Sequence, residues 1–188
     1  MTTHRKWIGI LCLAVAATAL WAWQPWAPRA EPSGPVSTYL DQAPLAANGV
    51  PSEPGCCAPA ADGRLVIGLR NGFYLLDTAK DSADPTALTC LALLPPEQHD
   101  TAVLRLNDGR CDIAGRFWAG SVITPRTAPN AALWRLQADA SSATGYSVRH
   151  MAGDNFTANG LAFSPDNHTL YWSNTPEHRI DQFEFDAA

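Results

Sequence analysis

The sequence has no Cys-x-x-Cys pair, no glycine-rich phosphate loop and, beyond Pro59, no helical hydrophobic period. Each absence removes a class of function. Five cysteines (Cys12, Cys56, Cys57, Cys90, Cys111) at irregular spacing make neither a zinc ribbon nor a dithiol redox pair, and an odd count argues against a disulfide framework. They are expected to be free thiols used as small core residues, with one of the adjacent Cys56 and Cys57 facing inward and the other outward. His99, His150, His168 and His178 show no ligand spacing and are expected on the surface. Without a phosphate loop, no nucleotide cofactor is indicated. Acidic residues are missing from positions 1–30, which hold Arg5, Lys6 and Arg29. The other 158 residues carry 10 basic against 18 acidic groups, within a formal net charge of -5. A field of that sign repels phosphate backbones, which excludes nucleic acid as a partner, and is compatible with holding a cation.

What is present divides the chain into 1–30, 31–58 and 59–188. Positions 7–23 form an uncharged apolar run behind the basic flank. At 1.5 Å per residue it spans roughly 26 Å, just short of the ~30 Å hydrocarbon core. Trp21, Trp23 and Trp26 stand at its far end, where interfacial aromatics belong. Three readings stay open. The run is a membrane tether with a cytoplasmic N-terminus, a signal peptide cleaved near Ala27 or Ala30, or a misassigned start joined to a cytoplasmic domain. Residues 31–58, rich in Pro, Gly, Ala and Ser, read as a linker entering the first strands.

From position 59 the pattern is short strands punctuated by turn residues. Positions 64–69 and 73–77 flank Arg70-Asn71-Gly72 and read as a hairpin. Positions 116–122 with 132–139, and 169–174 with 180–186, make a second and a third pair. The segments "DGRLVIGL", "AGRFWAGS" and "DNHTLYWSN" begin at Asp62, Ala114 and Asp166, a step of 52 each time. A fixed period of that length with several strands per unit predicts a β-propeller. Trp118, Trp134 and Trp172 lie on the repeated strands and are assigned to packing between units.

The stretch "VLRLNDGRCDIAGRFWAG" at 103–120 contains two turn signals within eight residues. Asn107-Asp108-Gly109 is expected to turn at the mouth of a central channel and Asp112-Ile113-Ala114-Gly115 to lead into the next strand. Asp108 and Asp112 are assigned to stabilising these turns. Arg105 and Asn107, two apart on a strand, share a face. Asn159 in Asn-Gly-Leu precedes a strand-like run, and Gly160 allows the chain to turn closely there.

The motifs "RLNDGRCDIAGRFWAGS" and "ANGLAFSPDNHTLYWSNTPEHRIDQFEFD" resemble the SMP-30/gluconolactonase/regucalcin-like family over positions 52–188. The resemblance implies an all-β, six-bladed propeller of which about three blades are present, preceded by the apolar segment. It further implies a divalent cation (Ca, Zn, Mn or Mg) in the central channel and hydrolysis of small sugar lactones there. Asn159 matches a metal ligand of the family, and Arg105 with Asn107 match positions that contact substrate. In that chemistry the cation polarises the lactone carbonyl and activates water, and a carboxylate takes the water's proton.

Two parts of the family pattern are not matched. A metal-ligating Glu of the first blade has no counterpart, since Glu31 and Glu53 stand in other contexts, and the Asp expected as general base would lie beyond Ala188. Three units are also fewer than the four blades a closed ring needs. The sequence therefore reads as an incomplete and inactive form of a lactone hydrolase. Two other readings are a membrane-tethered, non-catalytic binding module and half-propellers that associate with each other.

Overall fold

A computed structural model describes residues 53–187. The tether or signal expected at 7–23 and most of the 31–58 linker lie outside the described residues. Eleven strands form three antiparallel sheets, each a simple up-and-down meander. The first sheet is β1 (Cys56–Pro59), β2 (Leu65–Gly68), β3 (Gly72–Leu76) and β4 (Leu88–Leu93). The second is β5 (Leu104–Cys111), β6 (Phe117–Ile123), β7 (Ala131–Ala138) and β8 (Tyr146–Asn155). The third has three strands, β9 (Ala158–Phe163), β10 (Thr169–Asn174) and β11 (Arg179–Glu184). The first strand of each sheet lies beside the first strand of the next, β1 against β5 and β5 against β9. These are three consecutive propeller blades, as the repeat predicts. The second strands begin at Leu65, Phe117 and Thr169, again 52 apart.

Side-chain alternation explains how the blades stack. On β6 every residue is buried, because this strand faces a neighbouring blade on both sides. Phe117 points into the first interface, beside Phe73, Leu91, Trp134 and Leu136. Its ring meets that of Phe73 edge to face at 5.8 Å. The adjacent Trp118 points the other way, toward Leu161, Leu170 and Trp172 of the third blade. All three repeat-strand tryptophans are buried between blades, as expected.

Several elements escaped the sequence pattern. β8 is ten residues long and mostly exposed, so it carries no alternation to betray it. The four cysteines among the described residues are free, and Cys56 and Cys57 do alternate, Cys56 against the core and Cys57 outside. Cys111, however, is exposed rather than a core residue. The larger correction is His99, expected on the surface and in fact 1% exposed. It sits in the β4–β5 connection, where its Nε2 meets the Arg70 carbonyl at 2.8 Å and its ring stands edge-on to Trp134. A buried carbonyl needs a donor, and that need outweighs the imidazole's preference for water. Among the described residues no helix is long and apolar enough to cross a membrane.

Candidate functional site

Asn107-Asp108-Gly109 does not reverse the chain. It lies inside β5, where Leu106 faces Ser121 and Gly109 faces Ala119, so that Asn107 and Asp108 together oppose Gly120 alone. The expected turn is a β-bulge, which bends the strand and re-aims its side chains without ending it. Gly120 lets β9 of the next blade approach closely: a Cβ there would lie 2.2 Å from that of Ala158. The reversal comes at the second signal, as expected. There the Gly115 N–H donates to the Asp112 carbonyl at 3.0 Å with φ of +78°. The Asp112 carboxylate is buried and accepts from Arg116 Nε (2.6 Å), the Arg116 N–H (2.9 Å) and Trp118 Nε1 (2.8 Å). Burial alone would raise its pKa, but the hydrogen bonds from Trp118 and Arg116 outweigh that and hold it below the usual carboxylate range.

A similar device occurs in the next inner strand, one position out of step with the 52-residue repeat. In β9, Asn159 faces Ser173 and Ala162 faces Tyr171, so Gly160 and Leu161 together oppose Trp172. Gly160 has φ of +57°, and a Cβ there would meet Ser173 Oγ at 2.7 Å. Glycine is required on both counts. Bulges on two neighbouring inner strands, one containing Asn107 and the other directly following Asn159, thus lie beside the point where the two asparagines meet.

The structure brings all three residues singled out from the sequence into one connected group. Arg105 Nη1 donates to Asn107 Oδ1 at 3.2 Å and to the Leu106 carbonyl at 2.9 Å. Asn107 Nδ2 donates to Asn159 Oδ1 and to the Ala158 carbonyl, both at 2.8 Å. Asn159 Nδ2 donates to Thr175 Oγ1 at 2.8 Å. A guanidinium can only donate, so the orientation of each amide follows from its neighbour. Asn107 must turn its oxygen to Arg105, Asn159 must turn its oxygen to Asn107, and Thr175 is left to accept. Among the described residues, the Thr175 proton and the second lone pair of Asn159 Oδ1 then remain for a ligand.

Two supporting residues were not identified from sequence as parts of this group. Thr175 begins a 3-10 turn (Thr175–Glu177) after β10, and no local motif marks it. Asp108 does more than hold its own turn. Its Oδ1 accepts from the Gly109 N–H at 2.9 Å and its Oδ2 from the Leu161 N–H at 3.4 Å, tying one bulge to the other. Beside this group Glu53, which matched no family motif, places its carboxylate 3.5 Å from Arg105 Nε and 2.7 Å from Arg70 Nη2.

Chemically, the arrangement offers one cation, two oriented amides and a hydroxyl in a half-buried row. That is a surface for holding and orienting oxygen-rich ligands. Among the described residues no group of three or more His, Cys, Asp or Glu could hold a metal ion. A hard divalent cation takes about 6–8 oxygens, carboxylates among them, and Asn159 supplies one neutral oxygen. The described residues by themselves therefore do not make a divalent-cation site.

Comparison with known proteins fits this geometry. The family model "SMP-30/Gluconolactonase/LRE-like region" matches residues 29–188. The chain belongs to this family. Among its members, a 6-deoxy-6-sulfogluconolactonase of Pseudomonas putida is 36% identical over 137 residues, 73% of this chain and 42% of that protein. Regucalcin of Danio rerio is 31% identical over 134 residues, 70% of this chain and 40% of its own length. A solved regucalcin of Agrobacterium tumefaciens, described as a calcium-binding protein, superposes with a TM-score of 0.59 at 26% identity, covering 74% of this chain and 42% of that one. This family member thus spans about two fifths of the length of the curated relatives it matches, 42% and 40% in the two cases.

Proposed function

We propose that this chain provides the substrate-binding wall of a sugar-lactone hydrolase. The observation that carries the reading is the directed hydrogen-bond row Arg105–Asn107–Asn159–Thr175, held by paired bulges in adjacent inner strands. The lactonase among its relatives supports the reaction class. In this reading the Arg105 guanidinium, only part of which is spent on Asn107 and Leu106, donates to the lactone's carbonyl oxygen and stabilises negative charge as that carbonyl becomes tetrahedral. Asn107 orients Arg105 and Asn159. The Thr175 hydroxyl donates to a ring hydroxyl. A divalent cation, the cofactor expected for this family, would draw from these residues only Asn159 Oδ1, so no step is assigned to it here.

Binding can be separated from turnover with gluconolactam, a stable analogue of the lactone, titrated into the full chain by calorimetry with and without added Ca, Zn, Mn or Mg. Asn107→Ala and Arg105→Ala each remove hydrogen bonds that the reading uses, and losses of roughly 10-fold in affinity are expected at about 1.5 kcal/mol per bond. Release of acid from glucono-1,5-lactone then reads hydrolysis. Lactam affinity that ignores both substitutions would sink the proposal.

A further inference from the structure

Beyond Arg105 a cavity of about 500 Å3 opens, lined by Glu53, Arg70, Val103, Arg105 and Thr124. Arg105 belongs both to this cavity and to the hydrogen-bond row, so the two spaces are contiguous. The cavity contains two guanidiniums, and they are held differently. Arg70 is anchored, its side chain 10% exposed, with Nη1 donating to the Thr101 and Leu104 carbonyls at 3.1 and 3.3 Å. Arg105 is one-third exposed, and its hydrogen bonds run from Nη1, which leaves Nη2 without a hydrogen-bond partner among the described residues.

Among the described residues, the carboxylate that touches both of these cations is Glu53. Glu53 Oε2 is in firm contact with Arg70 Nη2 at 2.7 Å and in loose contact with Arg105 Nε at 3.5 Å, and the Glu53 side chain is 52% exposed. Glu53 thus divides its one charge unequally, with Arg105 holding the weaker share. A protein that is acidic outside its first thirty residues has gathered positive charge at the edge of its candidate site. Guanidiniums recognise carboxylate, sulfonate and phosphate oxygens through fork geometry, and a partly desolvated pair does so far more strongly than one in water.

We propose that this cavity binds an anionic substituent carried by the sugar ligand, a phosphate, sulfonate or carboxylate remote from the lactone ring, with Glu53 as an internal anion that yields Arg105 to it. The inference rests on the sugar-lactone reading of the neighbouring row. The ligand's anion takes the Nη2 edge of Arg105 and the Thr124 hydroxyl. Glu53 keeps its short contact with Arg70 and gives up the long one. Neutral sugars gain nothing from the cavity, so it acts as a specificity determinant for charged ones.

The test compares glucose 6-phosphate, glucose and inorganic phosphate by calorimetry on the full chain at low salt. The expected result is that the sugar phosphate binds at least 10-fold tighter than either glucose or phosphate. Glu53→Gln keeps size and an acceptor for Arg70 while removing the competing charge. It is expected to tighten the sugar phosphate several-fold and to leave glucose unchanged. Arg70→Met is expected to abolish the preference, and circular dichroism will show whether that variant folds. If it does not, Glu53→Gln decides alone. Glucose and its phosphate binding equally would overturn this proposal while leaving the lactone reading intact. Phosphate binding as tightly as the sugar phosphate would also overturn it, by marking a free-anion site. Weaker sugar-phosphate binding in Glu53→Gln would overturn the assigned role of the carboxylate, by showing it to be a support and not a competitor.

Discussion

Lowering the pH from 7 to 4.5 is expected to strip stability from this fold through one side chain, His99. Its Nε2 faces a carbonyl, so in the neutral ring that nitrogen carries the proton and Nδ1 is the bare one. Nδ1 is buried without a hydrogen-bond partner among the described residues. Protonation would place an N–H and a positive charge in a buried position with no acceptor among the described residues. Burial, joined by the nearby charge of Arg70 and only partly offset by the bond to the Arg70 carbonyl, pushes the pKa from 6.5 down to about 4. A histidine depressed in the folded state binds its proton more readily once unfolded. Its contribution is thus complete above pH 6.5, declines as pH falls between 6.5 and 4, and levels off below. Each tenfold difference in proton affinity between the folded and unfolded chain is worth about 1.4 kcal/mol, so the loss between pH 7 and 4.5 comes to about 2 kcal/mol. His99→Gln retains a donor for the Arg70 carbonyl and does not titrate. Urea unfolding of both proteins at pH 7 and 4.5 should show the variant less stable at pH 7, through lost packing on Trp134, but about 2 kcal/mol less sensitive to acid. Carboxylates common to both proteins cancel in that difference. Identical pH dependence in the two proteins would refute the reasoning, because it would mean that His99 titrates alike folded and unfolded.

Further expectations rest on the bulges and the hairpin turn. Gly160→Ala should cost about 1–2 kcal/mol from its positive φ, plus the clash with Ser173 Oγ; in a urea-melt series, adding Ser173→Ala should recover the clash and not the backbone strain. Asp108→Ala should lower stability by about 1–3 kcal/mol through the unpaired Gly109 and Leu161 amides, and should also weaken gluconolactam binding as the two bulges loosen; unchanged affinity would mean the bulges hold their relation without it. Trp118→Phe removes the indole donor from buried Asp112, and a loss of about 1–3 kcal/mol is expected in the same urea series. Asp112→Asn bears on the acid limb: the depressed carboxylate stabilises the fold above its ordinary pKa of 3.8 and loses that effect as pH falls below it. Thermal melts of the variant should therefore be less stable than wild type at pH 6 and flatter below pH 4.

The repeat was legible because it is written in residues whose roles are local. Phe117-Trp118 and Leu170 with Trp172 sit on second strands packed between blades, and the apolar character this demands shows in one dimension. The turn at Asp112–Gly115 was legible for the same reason, since its hydrogen bonds join neighbours in sequence. The Asn-Asp-Gly bulge was misread as a turn because the two are chemically alike, and only the register against Gly120 tells them apart. His99 was misread because its burial depends on a carbonyl 29 residues away. Strands β4 and β8 stayed hidden because an outer strand with one wet face needs little apolar patterning.

The site divides along the same line. Arg105, Asn107 and Asn159 could be named from motifs. Sequence alone determined that the chain is a repeat of small antiparallel sheets carrying family-specific polar residues, because hydrophobic period and turn chemistry act over a few neighbours. Tertiary structure alone decided that these residues donate to one another in a single direction, that Thr175 ends the row, and that Glu53 stands between Arg70 and Arg105. Those contacts join residues that meet only when the inner strands of adjacent blades are packed side by side. Hydrogen bonds of that kind depend on positions set to within a fraction of an ångström, and no local pattern encodes such a distance.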